Sequence, residues 1–231
     1  MTELVNGVLW LTDPEQWHGS GSIPERLLEH LLLTLWGVGV AALIAVPAGY
    51  VIGHTGRGRI WVVALTGAAR AIPTFGLLLF LVLMLGVAHR ETAALVGMVL
   101  LALPPLLAGA YAGVHQVDRS LIDAATAQGM TPWQVFSRVE LPLSVPLLLG
   151  GLRSAVLQVV STVVLIAYVG LGGLGYDLIQ AIPLRRIDQM VGSALLVVGL
   201  AIVLDVLLAT LTRVVTPQGV RRTLVHRHRP S

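Results

Sequence analysis

MVGSALLVVGLAIVLDVLLATL, residues 190–211, decides the fold class. The stretch carries a single charge, Asp205. About 20 mainly apolar residues in helical form cross the hydrocarbon core of a bilayer, so this stretch reads as a membrane-crossing helix. Four further apolar runs of similar length precede it, over about 27–52, 60–85, 93–112 and 143–168. Pro142, Pro146 and the Gly150-Gly151 pair interrupt the start of the last of these and would leave its first part as a separate interfacial helix. The expectation is an all-α transmembrane helical bundle of about five spans, with an extracytoplasmic segment 1–26 before it and a cytoplasmic basic tail 216–231 after it. Residues 1–13 have no positive start, no apolar core of signal length and no small-residue cleavage site. They are therefore not read as a secretory signal, and the first span is expected to stay.

Composition points the same way and excludes much chemistry. The chain is 55% hydrophobic and 12% charged, where soluble domains carry about 25% charge. It has no cysteine, which removes disulfides, thiolate metal sites and a cysteine nucleophile. All 15 basic residues are Arg. A phosphate-binding loop needs a Lys to reach the β- and γ-phosphates, so the chain is not expected to hydrolyse ATP or to bind a cofactor. No His pair has zinc-helix spacing, and His226 and His228 read as part of a solvated or lipid-facing tail, so no metal site is expected. The net charge of +3 sits between apolar runs and in the tail. That placement suits an anionic membrane leaflet rather than nucleic acid.

Arginine placement sets the orientation, because cytoplasmic loops carry the excess of basic residues. With the N-terminus outside, the inner segments hold Arg57, Arg59, Arg119, Arg138, Arg213, Arg221, Arg222, Arg227 and Arg229, and the outer ones only Arg26, Arg90, Arg185 and Arg186. The C-terminus is then cytoplasmic.

Between the third and fourth runs lies a polar interval, 117–142, with two helix signatures. Residues 121–128 are Ala-rich and end at Gly129, the residue type favoured just past a helix C-terminus. Thr131 is placed as an N-cap, Pro132 as the first helical residue and Gln134 at capping-box spacing. Helix, tight turn and helix would present Met130, Trp133, Val135 and Phe136 near the membrane surface. Pattern alone leaves two readings open: an amphipathic element resting on headgroups, or a docking element for a partner.

The interval resembles the cytoplasmic motif of ABC importer permeases, Glu-Ala-Ala, three residues, Gly, nine residues, Ile-x-Leu-Pro. Here it reads Asp123-Ala124-Ala125, Gly129 and Val139-Glu140-Leu141-Pro142. Two positions depart conservatively, Asp123 for Glu with a shorter carboxylate and Val139 for Ile. The likeness extends over about 25–217. Ala71-Ile72-Pro73-Thr74-Phe75, 129–134, 138–143 and Gly170-Leu171-Gly172-Gly173-Leu174-Gly175 look like the osmoprotectant branch, which takes glycine betaine, carnitine, choline or proline betaine. The methionine-type branch shares several of these features.

The resemblance implies a type I ABC importer permease domain over 27–215. Asp123, Ala124, Ala125, Gly129, Met130, Thr131, Pro132, Trp133, Phe136, Leu141 and Pro142 would form its short cytoplasmic coupling helix and flanks. It also implies cytoplasmic ATPase subunits that hold the ATP and Mg, an extracytoplasmic substrate-binding protein and a second permease chain, identical or related, in the inner membrane of a prokaryote. Both a stand-alone channel and a secondary transporter compete with this reading. They call for inverted repeats or several intramembrane ionisable groups, and no repeat is seen.

Within the membrane, Arg70 is placed about 11 residues into the second run, roughly 16 Å along a helix, near the bilayer middle where charge is costly. Pro73 removes a backbone donor, and Arg70, Pro73 and Phe75 are candidates for a broken helix lining the translocation path, with the alternative that Arg70 is satisfied by carbonyls freed at Pro73. Gly170, Gly172, Gly173 and Gly175 are candidates for an outer gate or simply a loop that ends the fourth span. The following loop, 176–189, with Arg185 and Arg186, is a candidate contact for a binding protein. Arg153 and Asp205 are read as a structural ion pair, with snorkelling of Arg153 to the headgroups as the alternative.

Overall fold

The computed structural model describes residues 2–216, apart from the side chains of residues 68–70. Helices α1 to α10 run over Thr2–Thr12, Ile23–Thr55, Arg59–Ala71, Thr74–Leu85, Arg90–His115, Arg119–Ala127, Pro132–Val135, Leu141–Ile166, Gly175–Leu184 and Ile187–Val215. No strand occurs among the described residues. The basic tail beyond 216, with His226 and His228, lies outside them.

Among the described residues, four helical stretches are long and apolar enough to cross a membrane: Ile23–Thr55, Val87–His115, Pro132–Val169 and Ile187–Val215. The second expected span is present but broken. α3 ends at Ala71, and Pro73, with φ −65° and ψ 115°, caps α4. Proline cannot donate into a helix and biases its predecessor toward extended backbone. The two pieces have 13 and 12 residues, each too short to cross alone at 1.5 Å per residue.

The fourth expected span differs in the other direction. Pro146 lies inside α8, and Pro132–Val169 is helical throughout. A π-turn over Phe136–Glu140, in which the Leu141 amide donates to the Phe136 carbonyl, precedes Pro142. Widening the turn is one way to relieve the clash of a proline ring with the carbonyl four residues back. Residues 176–189 also depart from expectation: most of them form α9 and the start of α10, not a loop.

Contacts divide the chain into two compact units. The first takes the chain up to Ala41, then Ala71–Ala102 and Val156–Asp205. Its core holds Leu78, Met98, Val159, Val163, Ile166 and Leu174. There Gly37 of α2 lies close to Met98 of α5, and α1 packs on α10 through Gly7 against Val191 and Trp10 against Gly192. The second unit takes Ala42–Arg70, Leu103–Ala155 and the described residues from Val206.

Small residues make the helix contacts of the second unit. A Cβ on Gly49 or Gly53 of α2 would meet Ala110, Tyr111 and Val114 of α5 at 2.6–2.9 Å. On Gly109 or Gly113 of α5 it would meet Leu147, Gly151 and Ser144 of α8 at 2.7–2.9 Å. Glycine pairs four residues apart let helix backbones approach closely where lipid supplies no hydrophobic drive for association. Away from these seams, α10 (mean hydropathy 2.7 over its most apolar stretch, with none of that stretch buried) and α2 expose Leu43, Ile44, Val203 and Leu207. Such surfaces suit lipid contact.

Candidate functional site

The interval 117–142 belongs entirely to the second unit. Asp118 caps α6, its carboxylate accepting from the Ser120 amide at 3.0 Å, and that bond holds its pKa below the usual 3.8. α6 ends in a full Schellman turn. The Gly129 amide donates to the Thr126 carbonyl at 2.9 Å and the Met130 amide to Ala125 at 3.2 Å, with Gly129 at φ +83°. The expected capping box then closes. The Gln134 amide donates to Thr131 Oγ1 at 3.4 Å, and the Thr131 amide donates to Gln134 Oε1 at 2.8 Å. Pro132 sits at the first helical position.

The interval has two faces. Asp123, Ala124, Gly129, Thr131, Pro132, Pro142 and above all Trp133, 71% exposed, are open. Ala125, Val135 and Glu140 are buried, while Met130, Phe136 and Leu141 are half-buried. Val135, expected on the surface, therefore faces inward instead. A four-residue helix is too short for its buried side to be read from periodicity.

The inward face grips the end of α2. His54 Nδ1 lies 2.5 Å from Glu140 Oε2. The Phe136 ring packs edge-on to His54 and to Tyr50, at centroid distances of 5.4 and 6.0 Å, and Trp133 lies 5.6 Å from Phe136. Ser144 Oγ reaches Tyr50 Oη at 3.4 Å. None of Tyr50, His54, Glu140 and Ser144 is singled out by the sequence pattern. The one available cue is an acid between two apolar residues at the mouth of a span. An apolar groove of about 620 Å³ opens beside this contact, lined by Val46, Pro47, Tyr50, Val51, Trp133 and Phe136.

A second cluster lies in the first unit. α8 gives way to a short 3-10 turn, and Gly170, at φ +75°, ends it. Residues 170–175 then close on α2. The Gly173 amide donates to Glu29 Oε2 at 2.8 Å, and Arg26 Nη1 donates to the same oxygen at 3.1 Å while its guanidinium lies 4.1 Å from the Tyr176 ring centroid. A side chain on Gly172 would run into the Glu29 carboxylate, and one on Gly175 into the Val164 backbone. This is a built turn that ends the fourth span. Burial raises the pKa of Asp177 on α9, with Arg26 opposing and Glu29 adding to the rise. Arg185, at φ 53°, and Arg186 are exposed between α9 and α10.

Phe75, directly after the break at Pro73, stacks obliquely on Tyr168 at 5.0 Å, both rings partly exposed. This contact sets the start of α4 against the end of the fourth span, two residues before Gly170. The Arg70 side chain lies outside the described residues. Arg153 on α8 and Asp205 on α10 are each half-buried. No group of three or more His, Cys, Asp or Glu side chains suited to a metal occurs among the described residues.

Residues 42–218 match the family described as "Binding-protein-dependent transport system inner membrane component". The chain is 30% identical over 202 residues to a choline transport system permease protein of Bacillus subtilis, covering 87% of this chain and 92% of that one. It is 32% identical over 213 residues to a carnitine transport permease protein of Listeria monocytogenes (90% and 92%). Over 208 residues it is 32% identical to an osmoprotectant import permease protein of Salmonella typhimurium (87% and 95%). Among solved structures, the MetNI methionine ABC transporter in an inward-facing conformation superposes with a TM-score of 0.72 at 23% identity, covering 89% of this chain and 100% of that one. At that identity the likeness concerns the fold.

Proposed function

The chain belongs to the family of binding-protein-dependent transport system inner membrane components, and from that premise we propose that it is the permease subunit of an ATP-driven importer for a quaternary-ammonium osmoprotectant such as choline, carnitine or a betaine. The observation that carries the coupling role is the interval 117–142. Its rigid double-capped turn presents an open face with Trp133 and continues as one helix from Pro132 to Val169. A push on Trp133 is thereby delivered to the fourth span itself. ATP and Mg belong to a partner ATPase that takes this open face. The interval is accordingly cytoplasmic, with the N-terminus on the other side, and the chain pairs with a second permease.

The substrate class is supported by the names of the relatives, which cover nearly the whole chain. The path passes the break at Ile72-Pro73 and the Phe75–Tyr168 pair. Aromatic faces attract quaternary ammonium groups electrostatically, so this pair suits a trimethylammonium substrate. Arg185 and Arg186, exposed opposite the interval in the proposed topology, contact the extracytoplasmic binding protein.

Uptake of labelled choline, carnitine, glycine betaine and methionine by proteoliposomes holding the permease, its ATPase and its binding protein tests this function. ATP-dependent uptake of at least one quaternary-ammonium compound is expected. Uptake of methionine alone overturns the substrate class. Uptake without ATP overturns the importer reading in favour of a channel or secondary transporter.

A further inference from the structure

The proposed function explains the open face of the interval 117–142 but leaves its buried face without a role. Glu140 is only 4% exposed, and a buried carboxylate is costly unless paired. His54, 86 residues away at the end of α2, supplies the pair at 2.5 Å. Phe136 packs against His54 and Tyr50 on the same helix, and Tyr50 in turn meets Ser144 at the start of α8. Three segments, the end of α2, the π-turn and the first turn of α8, thus share one polar and aromatic knot. Nothing about capping or crossing the membrane requires it. The Schellman turn, the capping box and the apolar spans are complete without it.

We propose that this knot is a clamp. Tyr50, His54, Phe136 and Glu140 make α2 and the coupling interval move as one body, with His54 and Glu140 as positioning residues for energy coupling. The clamp rests on the permease reading above and adds a second output to it. Motion received at Trp133 passes along α8 by helix continuity and passes to α2 through the His54–Glu140 bond. Packed elements transmit displacement when their contact has discrete rather than continuously deformable arrangements. A part-buried hydrogen bond set against aromatic edges is such a contact. Without it, the interval would still dock and the partner would still turn over ATP, but α2 would lag.

The test uses the complete importer in proteoliposomes and reads two quantities, ATP hydrolysed and substrate taken up. With His54→Gln or Glu140→Gln, the complex is expected to assemble and hydrolyse ATP while uptake per ATP falls roughly tenfold, the scale of disrupting one part-buried hydrogen bond. Since the chain has no cysteine, the double variant His54→Cys/Glu140→Cys carries the only thiols in the permease. It is expected to be uncoupled in the same way, and to regain coupling when a short bifunctional thiol reagent bridges the two positions. Where Glu140→Gln fails to assemble, Glu140→Asp keeps the charge, shortens its reach and reads the same ratio. Unchanged uptake per ATP in the single variants overturns the clamp. So does a bridged complex that stops transporting while the unbridged one transports, because the two segments must then separate during the cycle. A parent complex with no ATP-dependent uptake overturns the permease reading itself, whereas a working parent with unaffected variants overturns the clamp alone.

Discussion

Gly129 illustrates how one residue sets the geometry of the coupling interval. Its φ of +83° lies in the left-handed region, and a Cβ built on it meets nothing within 4 Å. A substitution there is opposed by backbone conformation alone, at about 1–2 kcal/mol for an ordinary residue. Gly129→Val should therefore weaken retention of the ATPase and ATP-dependent uptake, whereas Gly129→Asn, which tolerates the left-handed region, should retain most of both. Equal loss in the two variants, measured by co-purification and uptake, would place the defect in side-chain volume instead. Asp177 makes a different point, about charge. Burial raises its pKa, so the folded state gives up this proton less readily than the unfolded chain does. Stability falls as pH rises from the ordinary value of 3.8 through the raised folded value, and above that the penalty is complete. Asp177→Asn should raise the thermal midpoint of the purified permease at pH 7 and raise it less in acid; a gain that does not shrink on acidification would assign the effect to something other than charge. The sequence makes Thr131, Gln134 and Gly129 legible because capping acts between neighbours at fixed spacing. His54 and Glu140 stay hidden because their meeting is tertiary, and no period in the chain connects positions 86 apart.

The spans were legible as elements because lipid demands about 20 apolar residues in each. Hydropathy is nevertheless blind to what happens inside an apolar run. Residues 60–85 stay apolar across Ile72-Pro73, so hydropathy does not show the stop, and Pro73 alone marks the broken helix there. Residues 176–189 read as a loop because they follow the glycine-rich 170–175 and carry Arg185 and Arg186, yet α9 forms up to Leu184. The expected outer-gate glycines acquire a physical reason only when Glu29 and Val164 are seen against them. The glycine pairs 49/53 and 109/113 carry no meaning until the helices they face are known. A methyl group on Gly113 would stand 2.7 Å from the Ser144 carbonyl oxygen, and one on Gly109 2.8 Å from that of Leu147. Both partners are backbone on α8, which cannot yield without moving the helix. Gly109→Ala and Gly113→Ala should each destabilise the permease by about 1–3 kcal/mol, the range for overpacking. Gly150→Ala, on the same α8 but with nothing within 4 Å, should be neutral or stabilising by up to about 1 kcal/mol. Thermal unfolding in detergent separates the two cases, and similar midpoints for all three variants would remove the close-packed seam from the account.

On the scale of the whole molecule, the functional reading needs the coupling interval on the side of the membrane that holds ATP. Arginines supply the argument: nine fall in the segments placed inside and four in those placed outside, namely Arg26, Arg90, Arg185 and Arg186. Basic residues resist transfer across an energised membrane and remain where anionic lipid attracts them. The helices agree with an odd number of crossings if the broken α3–α4 segment counts as one crossing beside the four long stretches. Two exposed positions test this directly in a chain without cysteine: Thr126 on α6 and Arg186 between α9 and α10. With Arg186→Cys, a membrane-impermeant thiol reagent should label intact spheroplasts. Thr126→Cys should be labelled only after the membrane is opened. Labelling of Thr126→Cys from outside would separate Trp133 and Asp123 from any ATP-driven partner. The permease would then need another source of energy, however well its helices superpose on those of an importer.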